Sequence, residues 1–210
     1  MNKNIQLTVR GEVRRDAILS AAMDVFIERG FERTSLSSII ARSGGSRTLI
    51  YQCFGNKEGL FKACFEMLSK AVYARYLEEG RRGGTLEAEL RIFGGIMLQG
   101  MAESRGNGAL RLLVSETRFI PELGQWYYEN VVLESYRCFA RILDDFVVAG
   151  EADRYELSSF FIEALKGGVV QRALLCSEYQ PSQQEIQADL DRAIARFMLY
   201  IGQRYELKHG

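Results

Sequence analysis

Apolar residues recur at three- and four-residue intervals along most of the chain, which is the spacing of helices with one buried face. Between Arg14 and Arg29, the residues Ile18, Ala21, Ala22, Val25 and Phe26 share one face, and Gly30 supplies a natural stop. Thr34 and Ser35 precede a short second pattern, and Ser46 opens a third that runs to Phe54. Asn56 can cap a long fourth helix to about Glu79, followed by a break of Gly80, Arg81, Arg82, Gly83 and Gly84. With no strong linker between residues 54 and 80, that helix is expected to join the two parts of the chain rigidly and could carry a regulatory motion. A fifth helix is expected over Thr85–Met101, then a polar loop from Ser104 to Gly108, and a sixth helix over Ala109–Arg118. Pro121 precedes a seventh over Glu122–Val148. Asp153 with Glu156 reads as a capping box for an eighth helix reaching Ser177, and Ser182 with Glu185 as another for the ninth, after Pro181. The pattern predicts an all-α protein of about nine helices and no strand.

The stretch from Gly30 to Phe61 is the most specific part. Two short helices broken by Ser43, Gly44 and Gly45, the second headed by small polar residues, have the layout of a helix-turn-helix. Such an element places the start of its second helix in the major groove of double-stranded DNA, which puts Ser46, Arg47 and Thr48 at the base edges. Arg47 can donate a planar pair of hydrogen bonds to guanine O6 and N7, or grip a phosphate. Thr48 offers a hydroxyl and a methyl, and Gln52 lies one turn further on. Thr34 and Ser35, at the start of the second helix, can meet a phosphate; so can Arg14 or Arg15 from the first. Leu36, Ile39, Ile40, Leu49, Ile50 and Phe54 are expected to hold the three helices together.

The run Gly30, Phe31, Thr34, Ser35, Ile39, Ala41, Gly44, Ser46, Thr48, Leu49, Tyr51, Phe54, Lys57, Glu58 and Leu60 resembles the TetR family of bacterial regulators, in order and without gaps. Three positions depart from the family pattern: Gly45 stands where valine is common, Arg47 where a small residue is frequent, and Cys53 where an aromatic or histidine is usual. The resemblance implies that Tyr51 hydrogen-bonds a phosphate through its hydroxyl, and that Lys57 does so with its charge and nearby N–H groups. It also implies a DNA-binding domain over residues 1–56 and a helical ligand-binding and dimerisation domain over 57–210. One reading unit offers few contacts, so a homodimer on a palindromic operator is expected, with half-sites about 34–36 Å apart or a multiple of that.

Charge agrees with this placement. The chain is neutral overall, with 27 basic and 27 acidic residues, but residues 1–70 hold 11 Lys+Arg against 7 Asp+Glu, an excess of 11 − 7 = +4. Positive charge near the reading element favours phosphate. No apolar run reaches the ~18 residues of a membrane span. The opening MNKNIQLTVRGEVRRD lacks the apolar core of a secretory signal, so a cytoplasmic protein is expected. The sole histidine, His209, and the absence of paired cysteines argue against zinc; no cofactor is expected. Cys64, Cys138 and Cys176 fall in apolar patterns as core thiols; Cys53 is a bystander or, less simply, a redox trigger. Without an internal histidine or a phosphate loop, an enzyme is not supported.

Beyond residue 70 the chain is rich in apolar bulk. Phe93, Met97, Met101, Phe119, Trp126, Tyr127 and Phe139 could line a ligand cavity, alongside Tyr128 and Tyr136, or serve as ordinary core. Glu116, Arg111 and Arg118 could fix a polar end of a ligand, although solvated surface charge is the simpler role for each. Gly168, with Gly167, lies in an apolar helical pattern where glycine is costly unless a neighbouring helix comes close. The last two helices, through Phe161, Leu165, Gly168, Leu190, Ile194 and Phe197, resemble the family's dimer interface. The segment RLLVSETRFIPELGQWYY resembles the C-terminal region of AcrR- and AefR-like repressors, which implies a hydrophobic small-molecule inducer. An architectural DNA-binding protein on the same fold, without an inducer, is the alternative; activator or repressor stays open.

Overall fold

The computed structural model describes residues 8–79 and 84–208, so the expected break at residues 80–83 and His209 lie outside the described residues. Helices dominate: α1 (Val9–Arg29), α2 (Leu36–Ser43), α3 (Arg47–Phe54), α4 (Lys57–Glu79), α5 (Leu86–Ala102), α6 (Ser104–Glu116), α7 (Pro121–Tyr127), a π-helical turn (Tyr128–Val132), α8 (Leu133–Leu143), α9 (Glu151–Leu165), α10 (Val169–Leu175) and α11 (Gln183–Gly202). Counting α7, the π turn and α8 as one, the described residues hold ten helices rather than nine. Short polar side chains set most starts. Thr8, Ser35, Ser46, Thr85 and Ser182 each accept a hydrogen bond from an otherwise orphaned first-turn N–H. Ser182 and Glu185 form the expected capping box.

The chain divides into two compact units, one running to Leu68 and including Gly108–Tyr127, the other holding Ser69–Asn107 and everything from Tyr128. The first is centred on Phe61 of α4, whose ring meets Phe26 edge-on at 4.9 Å, Phe31 at 5.0 Å and Phe65 at 5.1 Å. Ile18, Ile39, Ile50 and Leu60 are fully buried, so α1, α2, α3 and the start of α4 each give a residue to this core. The second unit is built on a stack of rings: Phe93 on Phe139 at 4.6 Å and Phe139 on Phe161 at 5.2 Å, with Phe197 tilted against Phe161 at 5.0 Å. Losing any one of these rings costs about 3–5 kcal/mol.

Four expectations are corrected. The eighth helix is two helices, because Gly168 has φ +57°, the left-handed region, and ends the run. A Cβ there would overlap the carboxylate of Asp189, which instead accepts the Val169 N–H at 2.6 Å. α9 starts from Gly150, not from a box at Asp153. The stretch Ser104–Gly108 is helical, the first turns of α6, rather than a loop. The helix expected to reach Val148 stops at Leu143, and Val147–Val148 pairs antiparallel with Glu206–Leu207 in a two-residue ladder. Here the chain after α11 returns to donate Lys208 N–H to Phe146 O at 2.8 Å, a pairing no local pattern encodes.

Gly168→Ala combines a left-handed backbone with a clash against Asp189, so it is expected to lower stability by about 2–4 kcal/mol in urea unfolding. A change within about 0.5 kcal/mol would show that the break at Gly168 is not structurally required.

Candidate nucleic-acid interface

Helix α3 has one inward and one outward face. Ile50 is fully buried, and Leu49, Cys53 and Phe54 are half-buried. Arg47, Thr48, Tyr51 and Gln52 are exposed and, at i, i+1, i+4 and i+5, form one stripe. Ser46 caps the helix, accepting the Leu49 N–H at 3.2 Å, so its oxygen serves the helix end while it stays exposed. Arg47 donates to Ser37 Oγ on α2 at 2.8 Å, which spends one of its five N–H groups and holds the guanidinium at the mouth of the helix pair. Ser37 carried no signal in the sequence, because its contact reaches across the turn. That turn is tight: α2 ends at Gly44 in the left-handed conformation, and a Cβ on Gly45 would lie 2.7 Å from Ile18 Cδ1. The close approach to a fully buried Ile18 accounts for glycine where valine is common in the family.

Two residues expected to meet phosphate, Thr34 and Lys57, are instead engaged within the turn between α1 and α2. Thr34 is 2% exposed and donates its hydroxyl to Gly30 O at 2.7 Å, so it braces the turn from inside. Ser35 alone caps α2, with the Ser38 N–H 3.1 Å from its Oγ, and it is exposed. Lys57 points its ammonium into the same turn, donating to Phe31 O at 3.0 Å, Thr34 O at 3.2 Å and Glu32 O at 3.4 Å, with Nζ 4.3 Å from the centroid of the Phe31 ring. An ammonium has three protons, and all three are placed. From the other side, Glu116 of α6 is buried and accepts the Phe31 N–H at 3.0 Å. The surface role expected for Glu116 is therefore replaced by a structural one, and its 85-residue separation from Phe31 left no trace in the sequence.

The other expected sites are dispersed. Phe93 and Phe139 are core of the second unit, with Met97 and Met101 half-buried against it. Tyr127 stacks edge-on with Phe65 in the first unit, Lys62 approaches the Trp126 ring there at 5.6 Å, and Phe119 is 67% exposed. Those seven residues thus belong to two different units. Phe161, Leu165, Leu190, Ile194 and Phe197, expected at a dimer interface, are buried within their own chain, and Gly168 is the helix break. Cys64 is buried as expected, Cys138 is half-buried, and Cys176 is exposed at the end of α10. Burial raises the Cys53 thiol above its ordinary pKa while Arg15 pulls the other way, so the site does not favour a thiolate. No group of side chains suited to a metal ion occurs among the described residues.

Comparison with known proteins decides the family. Residues 18–64 match the model of bacterial regulatory proteins of the tetR family, and residues 88–201 match that of the AefR-like transcriptional repressor C-terminal domain. The chain belongs to the TetR family. It is 38% identical over 60 residues to the DNA-binding transcriptional repressor TetR of Mycobacteroides abscessus, and 42% identical over 52 residues to the HTH-type transcriptional repressor ComR of Escherichia coli. The matched segments span 29% and 25% of this chain, and only 32% and 25% of those relatives. In fold, the chain is similar to a TetR-family regulator from Mesorhizobium loti, with a TM-score of 0.74 and 19% identity over 92% of this chain and 98% of that one. A regulator described as the flavonoid-responsive FrrA gives 0.63 at 20% identity, over 90% and 97% of the two chains.

Because Lys57 satisfies three carbonyls of one turn, Lys57→Met is expected to cost about 1–3 kcal/mol of unfolding free energy, read by urea denaturation. A stability unchanged from wild type would show that those carbonyls find water instead.

Proposed function

We propose that this protein is a homodimeric, DNA-binding transcriptional repressor that leaves a palindromic operator when a hydrophobic small molecule binds its helical domain, residues 57–210. The carrying observation is the exposed stripe of Arg47, Thr48, Tyr51 and Gln52 on a short helix whose opposite face is locked into the core. A helix fixed in this way presents its first turns to a groove without losing conformational entropy on binding. Arg47, poised by Ser37, reads a base; Thr48 and Gln52 extend the contact; Tyr51, 54% exposed, and Ser35 hold phosphates. The Tyr51 role comes from family resemblance. No described helix is long and apolar enough to cross a membrane, and a cytoplasmic site of action is part of this reading.

The dimer face is relocated to the outward sides of α9 and α11. Phe160 and Leu199 are 42% and 66% exposed, and Ala164 and Ala195 are exposed beside them. Large apolar side chains facing water in a row, flanked by small ones, suit a self-complementary contact about a twofold axis. Ligand response is supported by the AefR-like C-terminal match, and it parallels two fold neighbours, one described as flavonoid-responsive and one solved as a SmeT–triclosan complex. The close stacking of Phe93, Phe139 and Phe161 favours the second reading, an architectural DNA-binding protein with no inducer. A ligand acts only through its different affinity for two states, so a hundredfold preference supplies about 2.7 kcal/mol.

Selection of bound sequences from random duplex DNA is expected to return a palindrome; recovery of unrelated sequences with equal affinity supports the architectural reading. Arg47→Ala is expected to weaken the selected site by about 1–3 kcal/mol and to relax one base position, leaving random DNA nearly unaffected. Equal loss on both duplexes would make Arg47 a phosphate contact. Leu199→Arg is expected to convert the dimer to monomer in analytical ultracentrifugation, and an unchanged sedimentation coefficient would place the interface elsewhere.

A further inference from the structure

One carboxylate in the second unit is spent on neither fold nor surface. Glu89, in the first turn of α5, is 0% exposed. Its Oε2 accepts a hydrogen bond from the Tyr76 hydroxyl of α4 at 2.5 Å. Its Oε1 is buried and has no hydrogen-bond partner among the described residues. Burying a carboxylate oxygen without a donor is costly, and replacing such a group by an apolar one commonly stabilises a protein. A helix start is already favoured by an acid, but solvent-exposed Glu87 in the same turn supplies that without the cost of burial.

The surroundings are aromatic and adaptable. Tyr76 meets Phe93 edge-on at 5.6 Å and lies 6.2 Å from Tyr73. Half-buried Tyr73, Met97 and Met101 pack on the same core. Unbranched methionines repack readily around a guest. Electron-rich rings beside a carboxylate attract positive charge, and an oxygen lacking a donor is satisfied by an N–H.

We propose that the α4–α5 seam is the inducer site and that its ligand is a hydrophobic organic amine, held by an ammonium N–H donating to Glu89 Oε1, with its apolar body among Tyr73, Tyr76, Phe93 and Met97. The proposal rests on the ligand-responsive reading above and names the class of ligand. The Tyr76 hydroxyl occupies Oε2 and leaves Oε1 to the guest.

The test is calorimetric titration of the full chain with 4-phenylbutylamine, 4-phenylbutanol and 4-phenylbutyrate, which share one body and differ in the head. A charge-assisted hydrogen bond in a buried site is expected to favour the amine over the alcohol by about tenfold or more, with the carboxylate weakest. Glu89→Gln keeps an acceptor for Tyr76 and removes the charge, and the amine's advantage is expected to fall to near one. Tyr76→Phe leaves both Glu89 oxygens to the guest, and the advantage is expected to persist or grow. Circular dichroism checks that both variants are folded; should Glu89→Gln not fold, Tyr76→Phe alone decides. Equal affinity for amine and alcohol in the wild type overturns the proposal, as does an amine preference that survives Glu89→Gln or is lost in Tyr76→Phe. Should the alcohol bind as well as the amine and release DNA, the regulator reading stands and this one fails. Should the amine bind through Glu89 without altering DNA affinity, the site stands and the regulatory reading fails.

Discussion

A turn whose backbone is pulled out of water must have its polar groups answered by the protein, and the turn between α1 and α2 shows how. Phe31 is buried to fill the aromatic core around Phe61, which drags its own N–H and carbonyl inward with it. Glu116 takes the N–H, Lys57 takes three carbonyls, and the Thr34 hydroxyl takes a fourth. Those bonds set where α2 begins, and α2 with Gly44 and Gly45 sets where α3 points. The outward stripe on α3 thus depends on a lysine and a glutamate whose polar groups are turned toward the protein's own backbone.

The same logic distinguishes the two units. Among the described residues of the first, Glu116 and Lys57 are both matched by backbone partners, and the result is a firm base for recognition. In the second, the ring stack of Phe93, Phe139 and Phe161 supplies the apolar burial, while Glu89 retains an unanswered oxygen beside it. A core that keeps such an unfavourable group gives up some stability, which the proposed amine would restore. Rigid presentation in one unit and a costly buried acid in the other suit the two parts of the proposed function.

Much of this was legible in the chain. Helical periodicity, capping serines and the Gly44–Gly45 break marked α2 and α3 closely, because each signal acts within four residues of itself. The exposed positions of Arg47, Thr48, Tyr51 and Gln52 follow from the same short-range register once Ile50 is assigned inward. The apolar spacing around Gly168 predicts a continuous helix, and only Asp189, on another helix, shows why the run breaks there. The periodicity through Phe161, Leu190 and Phe197 marks a buried face without saying what buries it, and here their own chain does.

The sequence by itself determined the helical class, the reading element and the family resemblance, since local hydrogen bonding, capping and side-chain spacing are encoded within a few residues. The tertiary structure alone decided that Lys57 and Thr34 brace a turn, that Glu116 reaches Phe31 from 85 residues away, and that Glu89 is left half-satisfied against Tyr76. Charge and hydrogen-bonding capacity are properties of a residue, but whether water or protein satisfies them depends on what folding brings alongside.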